Sequence, residues 1–285
     1  MQNVIRAFQN FLGEMIKSDR FDSRDLRNFL EPVFEREGYR NETLSHEILV
    51  IQNAGVGDFV NLSPSLRAIR EKFPRDRITF VCMNGLISLA RSCPYVDSIY
   101  YLNYAFESYT DFADLYLKQS QFAEKLLPFK FDLAICFCHY IDKILLAYMS
   151  GAKRIVHYSG NLICNPTVMP LNVVIDLINW KIPMNISNMH IADRYLGLIE
   201  GMINESIEDR SLEVWYEPRC IKTAREIFND HDLLDKKIFA ISFGGSGLQK
   251  HYPPEKYAKL IEMVSAENPD ARFIILGGKK DLKET

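Results

Sequence analysis

Glu47-Ile48-Leu49-Val50-Ile51-Gln52-Asn53-Ala54-Gly55-Val56-Gly57-Asp58 is the stretch whose reading decides the fold. Ile48 to Ile51 is a short apolar run without polar alternation, which suits a strand buried on both faces of a parallel sheet. A glycine turn follows, and the spacing then predicts a helix over 59–73, stopped by Pro74. Strand, glycine turn and helix in that order form the opening unit of a doubly wound α/β sheet.

The same alternation continues downstream. Strands are expected at 77–82, 96–101, 131–137 and 154–158, with helices at 86–91, 106–127 and 143–150 between them, the last closed by Gly151. Residues 159–187 hold Pro166, Pro170 and Pro183 and read as loops with a short helix, and a helix follows at 190–202. The alternation resets near 213–218. A helix at 221–228, a strand at 238–243, a helix at 254–267 and a strand at 272–276 begin a second unit of the same kind. Upstream, Val4, Ile5, Phe8, Phe11, Leu12, Met15 and Ile16 recur at helical spacing, and Leu26, Phe29, Leu30, Val33 and Phe34 repeat the pattern. The expected organisation is a helical extension over 1–45, a Rossmann-like domain over 46–215 and a partial Rossmann-like domain over 216–285. The extension is read as packing on its neighbour, with docking to a partner as the alternative.

Bulk properties exclude several classes. The 285 residues carry a net charge of -3, with 47% hydrophobic and 25% charged residues. That is ordinary globular composition, without the basic excess of a nucleic-acid binder. No apolar run approaches the length of a membrane span, and the N-terminus lacks the pattern of a secretory signal. The six cysteines are Cys82, Cys93, Cys136, Cys138, Cys164 and Cys220. Cys136 and Cys138 form a C-x-C whose side chains share one face of a strand, but no second pair stands at metal-ligand spacing, so no metal site is expected. Buried reduced thiols and a cytoplasmic location are the reading.

Two glycine turns carry the chemistry. Gly55-Val56-Gly57 is half of a dinucleotide fingerprint, but Val60 replaces its third glycine and the second strand ends in Cys82-Met83-Asn84, without an acid for a ribose diol. A nicotinamide or flavin enzyme is disfavoured. The turn is read as a tight bend that presents Asp58 at a helix N-terminus, where the dipole favours a carboxylate. Asp58 is there either a helix cap or a catalytic base. The second turn, Gly244-Gly245-Ser246-Gly247 with Lys250, offers N–H groups, a hydroxyl and a positive charge to a phosphate, although a plain strand-to-helix loop fits it equally. One turn per domain suggests facing sites across a cleft.

Taken together, the segments resemble glycosyltransferase family 9, the ADP-heptose:lipopolysaccharide heptosyltransferases. The resemblance runs from about 46 to 280 through Gly57-Asp58, Ser63-Pro64-Ser65-Leu66-Arg67-Ala68, Pro94-Tyr95-Val96-Asp97 and Phe131-Asp132-Leu133. It continues through Gly151-Ala152 with Arg154, His190 with Asp193-Arg194-Tyr195-Leu196, Ser246 to Lys250 with Tyr252-Pro253-Pro254-Glu255, and Ile274 to Gly278. Tyr252 stands where the family has tryptophan. The family's later D-[ST]-G-x-x-H element has no counterpart before Thr285, which implies a C-terminally truncated chain.

The resemblance implies a GT-B fold of two Rossmann-like domains, with the second incomplete here. It implies an inverting, metal-independent transfer of heptose or a related sugar from an ADP-sugar to a glycan or lipid-linked acceptor such as lipopolysaccharide core. Asp58 would be the base on the acceptor-side turn of Gly55 and Gly57, while Gly245, Ser246 and Lys250 would hold the donor diphosphate. No cofactor is implied, the ADP-sugar being a co-substrate, and peripheral contact with the inner face of the membrane would fit. The alternatives are a non-catalytic remnant that binds a glycan or a protein, and a Rossmann oxidoreductase.

Overall fold

The computed structural model describes residues 46–53, 55–102, 112–138, 140–159, 180–184, 188–242 and 252–277. The expected helical extension over 1–45 and the turn holding Gly245, Ser246 and Lys250 lie outside them. The chain divides into two compact units, the first ending at Tyr216 and the second beginning at Glu217.

In the first unit the described elements run β1 (Glu47–Ile51), α1 (Val56–Lys72), β2 (Arg77–Met83), α2 (Ile87–Arg91), β3 (Ser98–Leu102) and α3 (Phe112–Leu126). They continue with β4 (Leu133–Cys136), α4 (Ile141–Met149), β5 (Ile155–Ser159), β6 (Trp180–Pro183) and α5 (Ile191–Ile203). The strands form one six-stranded sheet in the order β3-β2-β1-β4-β5-β6, parallel at every pairing. This α/β architecture matches the expected doubly wound sheet.

Burial explains why the strand sequences lack alternation. Ile48 and Val50 of β1 join Leu133 and Ile135 of β4 in a core beneath α1, α2 and α5. Leu49 and Ile51 join Ala134 and Cys136 in a second core beneath α3 and α4. Ile48 to Ile51 of β1 and Leu133 to Cys136 of β4 are apolar without a break because both faces of these strands are covered. Cys136 and Cys138 both face the second core, as their spacing requires.

Two local features depart from expectation. Residues 159–187 were expected to be irregular, but 180–183 form the edge strand β6, pairing Trp180 to Pro183 with Val156 to Ser159. Proline is tolerated there because an edge strand leaves one side of its backbone unpaired. Helix α1 begins three residues before the expected 59 and runs through Pro64. Pro64 has no N–H for the Val60 carbonyl, and the Ser63 hydroxyl donates to that oxygen instead, at 2.7 Å. Gly151, after α4, adopts φ 75, the left-handed conformation that a helix C-terminus commonly gives to glycine.

Between α5 and the end of the first unit, residues 205–215 run without helix or strand and are tied onto α1. Arg67 of α1 pairs with Glu213 and donates to the carbonyl oxygens of Asp209 and Ser211, at 2.9 and 3.2 Å. Glu213 also accepts from the Tyr95 hydroxyl and from Trp215 Nε1, and its own N–H donates to Ser63 Oγ at 2.8 Å. The Trp215 ring stands edge-on to Phe59 and Tyr95, with centroids 5.7 and 5.5 Å away.

The second unit holds α6 (Pro218–Asp230), β7 (Ile238–Ser242), α7 (Pro254–Glu267) and β8 (Arg272–Leu276). Strands β7 and β8 pair in parallel, with Phe239 stacked on Phe273. Both helices start with proline at the first turn, where its missing N–H costs nothing. Among the described residues of this unit only Leu233 is buried, and Leu260, Met263, Ile275 and Leu276 are exposed.

Candidate functional site

The strand order reverses between β1 and β4. The chain leaves β1 toward β2 and β3 on one side, then returns to lay β4 on the other. In open α/β sheets the crevice at the carboxyl ends of two such strands is the preferred ligand site. The residues that follow β1 and β4 therefore define the candidate site.

Gln52 and Asn53 follow β1, and both are buried. Phe137 and Cys138 follow β4. The two exits are stitched together: the Asn53 N–H donates to Cys138 Sγ at 2.9 Å, and the Cys138 thiol donates to Gln52 Oε1 at 3.0 Å. Gln52 Nε2 donates to the Tyr195 hydroxyl, which α5 brings over the sheet. From β5, His157 Nε2 donates to the Cys138 carbonyl at 3.1 Å. This floor is buried, and it joins segments far apart in sequence.

Asp58 stands above the floor in the first turn of α1. It is partly exposed, and its Oδ2 accepts the Gly55 N–H at 3.2 Å, so it caps its own helix. Its negative charge is felt by the floor. Burial holds the Tyr195 hydroxyl far above the usual tyrosine range, and Asp58 adds to that effect. Burial also pushes the Cys138 thiol up to about 12; the Asn53 N–H and Lys143 oppose this, and Asp142 and Asp58 reinforce it. A thiol so raised is protonated at neutral pH and is no nucleophile. The carboxylate of Asp58 is thus the group in this cluster with both charge and access.

Neither Gly55 nor Gly57 has a left-handed φ. Gly55 is extended, with φ -74 and ψ -179, a conformation open to any residue. A Cβ at Gly57 would meet nothing within 4 Å. The absence of a side chain there leaves open space at the helix N-terminus, where backbone N–H groups and the dipole favour electronegative groups. Beneath it, Asn53 Oδ1 is buried without a hydrogen-bond partner, an exception to the rule that such atoms are paired.

Most of the other residues singled out by sequence build the fold. His190 Nδ1 caps α5 by accepting the Ala192 N–H at 3.3 Å, Arg194 donates to the Met189 carbonyl, and Asp193 pairs with Arg210. Asp132 accepts from the Glu47 N–H and pairs with Lys153. Asp97 accepts from the Ile78 N–H and pairs with Arg70. Sequence reasoning gave no site role to Gln52, Asn53 or His157 and read Cys138 only as half of a buried C-x-C, because their partners lie on other elements. Tyr252, in the second unit, is exposed and packs edge-on against Tyr257. Among the described residues no group of three or more His, Cys, Asp or Glu could hold a metal ion. No described helix is long and apolar enough to cross a membrane.

Solved structures share this architecture. A glycosyltransferase family 9 structure from Veillonella parvula superposes with a TM-score of 0.65 at 18% identity, covering 84% of this chain and 64% of that one. The fold is similar to that of glycosyltransferase family 9. E. coli ADP-heptose lps heptosyltransferase II gives a TM-score of 0.63 at 15% identity, over 84% of this chain and 66% of its own. E. coli heptosyltransferase WaaC with ADP gives 0.58 at 14%, over 84% and 69%. The chain therefore spans about two thirds of the length of these GT-B structures. No family model and no curated protein matches the sequence.

Proposed function

We propose that the chain acts as an inverting, metal-independent glycosyltransferase that moves a heptose or related sugar from an ADP-sugar to a glycan such as lipopolysaccharide core. The observation that carries this reading is the position of Asp58. It is a charged, accessible carboxylate on the helix that opens beside the switch-point crevice of a parallel sheet, next to an open approach at Gly57. The fold likeness to heptosyltransferases supports the choice of reaction class.

In this mechanism a carboxylate oxygen of Asp58 takes the proton of the acceptor hydroxyl as the hydroxyl oxygen bonds to the anomeric carbon. The bond from that carbon to the ADP oxygen breaks on the opposite face, which inverts the centre. The departing diphosphate carries the negative charge, and Gly245, Ser246 and Lys250 are the residues proposed to stabilise it. Gln52 and Tyr195 form a neutral hydrogen-bonded pair in the floor beneath Asp58. No cofactor enters this scheme, and the work is assigned to the cytoplasmic face of the membrane. Isothermal titration of the chain with ADP, ADP-heptose and NAD tests it. Binding of the two adenosine diphosphate ligands without NAD supports the reading, and NAD binding alone contradicts it.

A second reading has one observation in its favour: Asp58 already serves as the cap of α1. On that reading the first unit binds an acceptor glycan without transferring to it. Acceptor binding with no sugar transfer in the presence of ADP-heptose would distinguish it.

A further inference from the structure

Helix α1 carries Asp58 on a first turn that its own sequence holds weakly. Gly55, at the N-cap, has no side chain to receive the first-turn N–H groups, and glycine at 57 is a poor helix former. Val56 and Gly57 are exposed and Asp58 is partly exposed, so Phe59, 2% exposed, is the first side chain of the helix to enter the core. Its N–H bonds back to the Gly55 carbonyl at 3.1 Å. Whatever fixes Phe59 therefore fixes the turn that carries Asp58.

Two rings meet Phe59. Phe80 of β2 lies 5.5 Å away between centroids, and Trp215 stands edge-on at 5.7 Å. Phe59, Ser63 and Arg67 are spaced by four residues and share one stripe of α1. The segment over 205–215 runs along that stripe in the opposite direction. The carbonyls of Asp209 and Ser211 meet Arg67, the Glu213 N–H meets Ser63 Oγ, and Trp215 meets Phe59. The indole is oriented by its Nε1 bond to Glu213, at 3.1 Å, and by the Tyr95 ring. Tyr216, the next residue, ends the first unit, so the chain enters the second unit directly after this contact.

We propose that Trp215 is a positioning residue for Asp58: its ring walls Phe59, holds the first turn of α1 against fraying, and so keeps the carboxylate at the crevice between β1 and β4. The proposal rests on the reading of Asp58 as the base. A helix end frays when nothing packs on it, and a small misplacement of a reacting group is costly in rate.

Amide hydrogen exchange on the full chain reads the turn, and transfer from ADP-heptose to heptose-free lipopolysaccharide core reads its consequence. Trp215→Ala should speed exchange at the Phe59 N–H by about tenfold, with Leu66 to Ile69 at the parental rate. Turnover should fall by about tenfold, with the donor KM unchanged. Trp215→Phe restores a ring beside Phe59 and should recover most of both losses. Trp215→Leu, a milder change should the alanine variant not fold, should fall between them. Glu205→Ala breaks the ion pair with Lys72 at the far end of the segment and should leave both readouts at parental values. Parental exchange at Phe59 in Trp215→Ala, a uniform rise along α1, or parental turnover despite a frayed first turn would overturn the proposal. A parent chain that transfers no sugar would contradict the base reading instead, and exchange at Phe59 would still decide whether Trp215 holds the turn.

Discussion

Gln52, the residue after β1, donates a hydrogen bond to the hydroxyl of Tyr195, which stands 143 positions later on α5. Both side chains are buried, and the bond fixes α5 over the carboxyl end of the sheet beneath Asp58. Tyr195→Phe should leave the ring packing against Phe137 intact while orphaning the buried Gln52 amide. The expected cost is about 1–3 kcal/mol, read as a lowered midpoint in urea unfolding. An unchanged midpoint would show that the pair contributes nothing to the floor.

Glu213 is the anchor of the segment over 205–215. It receives Arg67, the Tyr95 hydroxyl and Trp215 Nε1 at once. Glu213→Ala leaves the Arg67 guanidinium, only 10% exposed, with the exposed Asp209 carboxylate as its remaining ion-pair partner, and leaves the Tyr95 hydroxyl and Trp215 Nε1 without their acceptor. A loss of about 1–3 kcal/mol is expected, with faster proteolytic cleavage between 205 and 216. Cleavage at the parental rate would place the anchor elsewhere.

The thiols give a prediction in pH. Burial raises Cys82, Cys93 and Cys138 from an ordinary value of 9.0 to about 12. A group whose pKa is raised in the folded state stabilises fully below its unfolded value. That contribution disappears as pH rises through the folded value. The thermal midpoint should therefore fall between about pH 9 and pH 12. At neutral pH, iodoacetamide should label exposed Cys220 and spare Cys82, Cys93, Cys136 and Cys138, as mapped by mass spectrometry. Labelling of Cys138 in the folded chain would contradict the buried floor.

Gly57 separates folding from function. Alanine there meets no atom within 4 Å and improves helix propensity in the first turn of α1. Gly57→Ala should retain or slightly raise the thermal midpoint, yet lower the rate of sugar transfer by filling the approach to Asp58. Full activity in a stable variant would remove the acceptor from this side of the helix.

Much of the first unit was legible because its strands are buried on both faces, so that Ile48 to Ile51 and Leu133 to Cys136 read as unbroken apolar runs. Strand β6 escaped because four residues ending in Pro183 carry no such run, and its pairing with β5 depends on a partner elsewhere in the chain. At the candidate site the sequence marked Asp58, which announces itself as an acid after a glycine turn. It could not mark Gln52, Asn53 and Cys138, whose roles exist only once β1 and β4 lie side by side. The resemblance segments divide in the same way. Arg67, Tyr95 and His190 hold the fold, while Asp58 combines charge with access beside the ends of β1 and β4.

Asp58→Asn tests the central claim most directly, because asparagine retains an oxygen to accept the Gly55 N–H and so preserves the helix cap. The measurement is ADP release from ADP-heptose with a heptose-free lipopolysaccharide core as acceptor, alongside donor affinity by calorimetry. The account predicts a loss of about 10²–10⁴-fold in turnover with donor affinity and thermal midpoint unchanged. Turnover within a few-fold of the parent chain would show that Asp58 only caps the helix and is not the base.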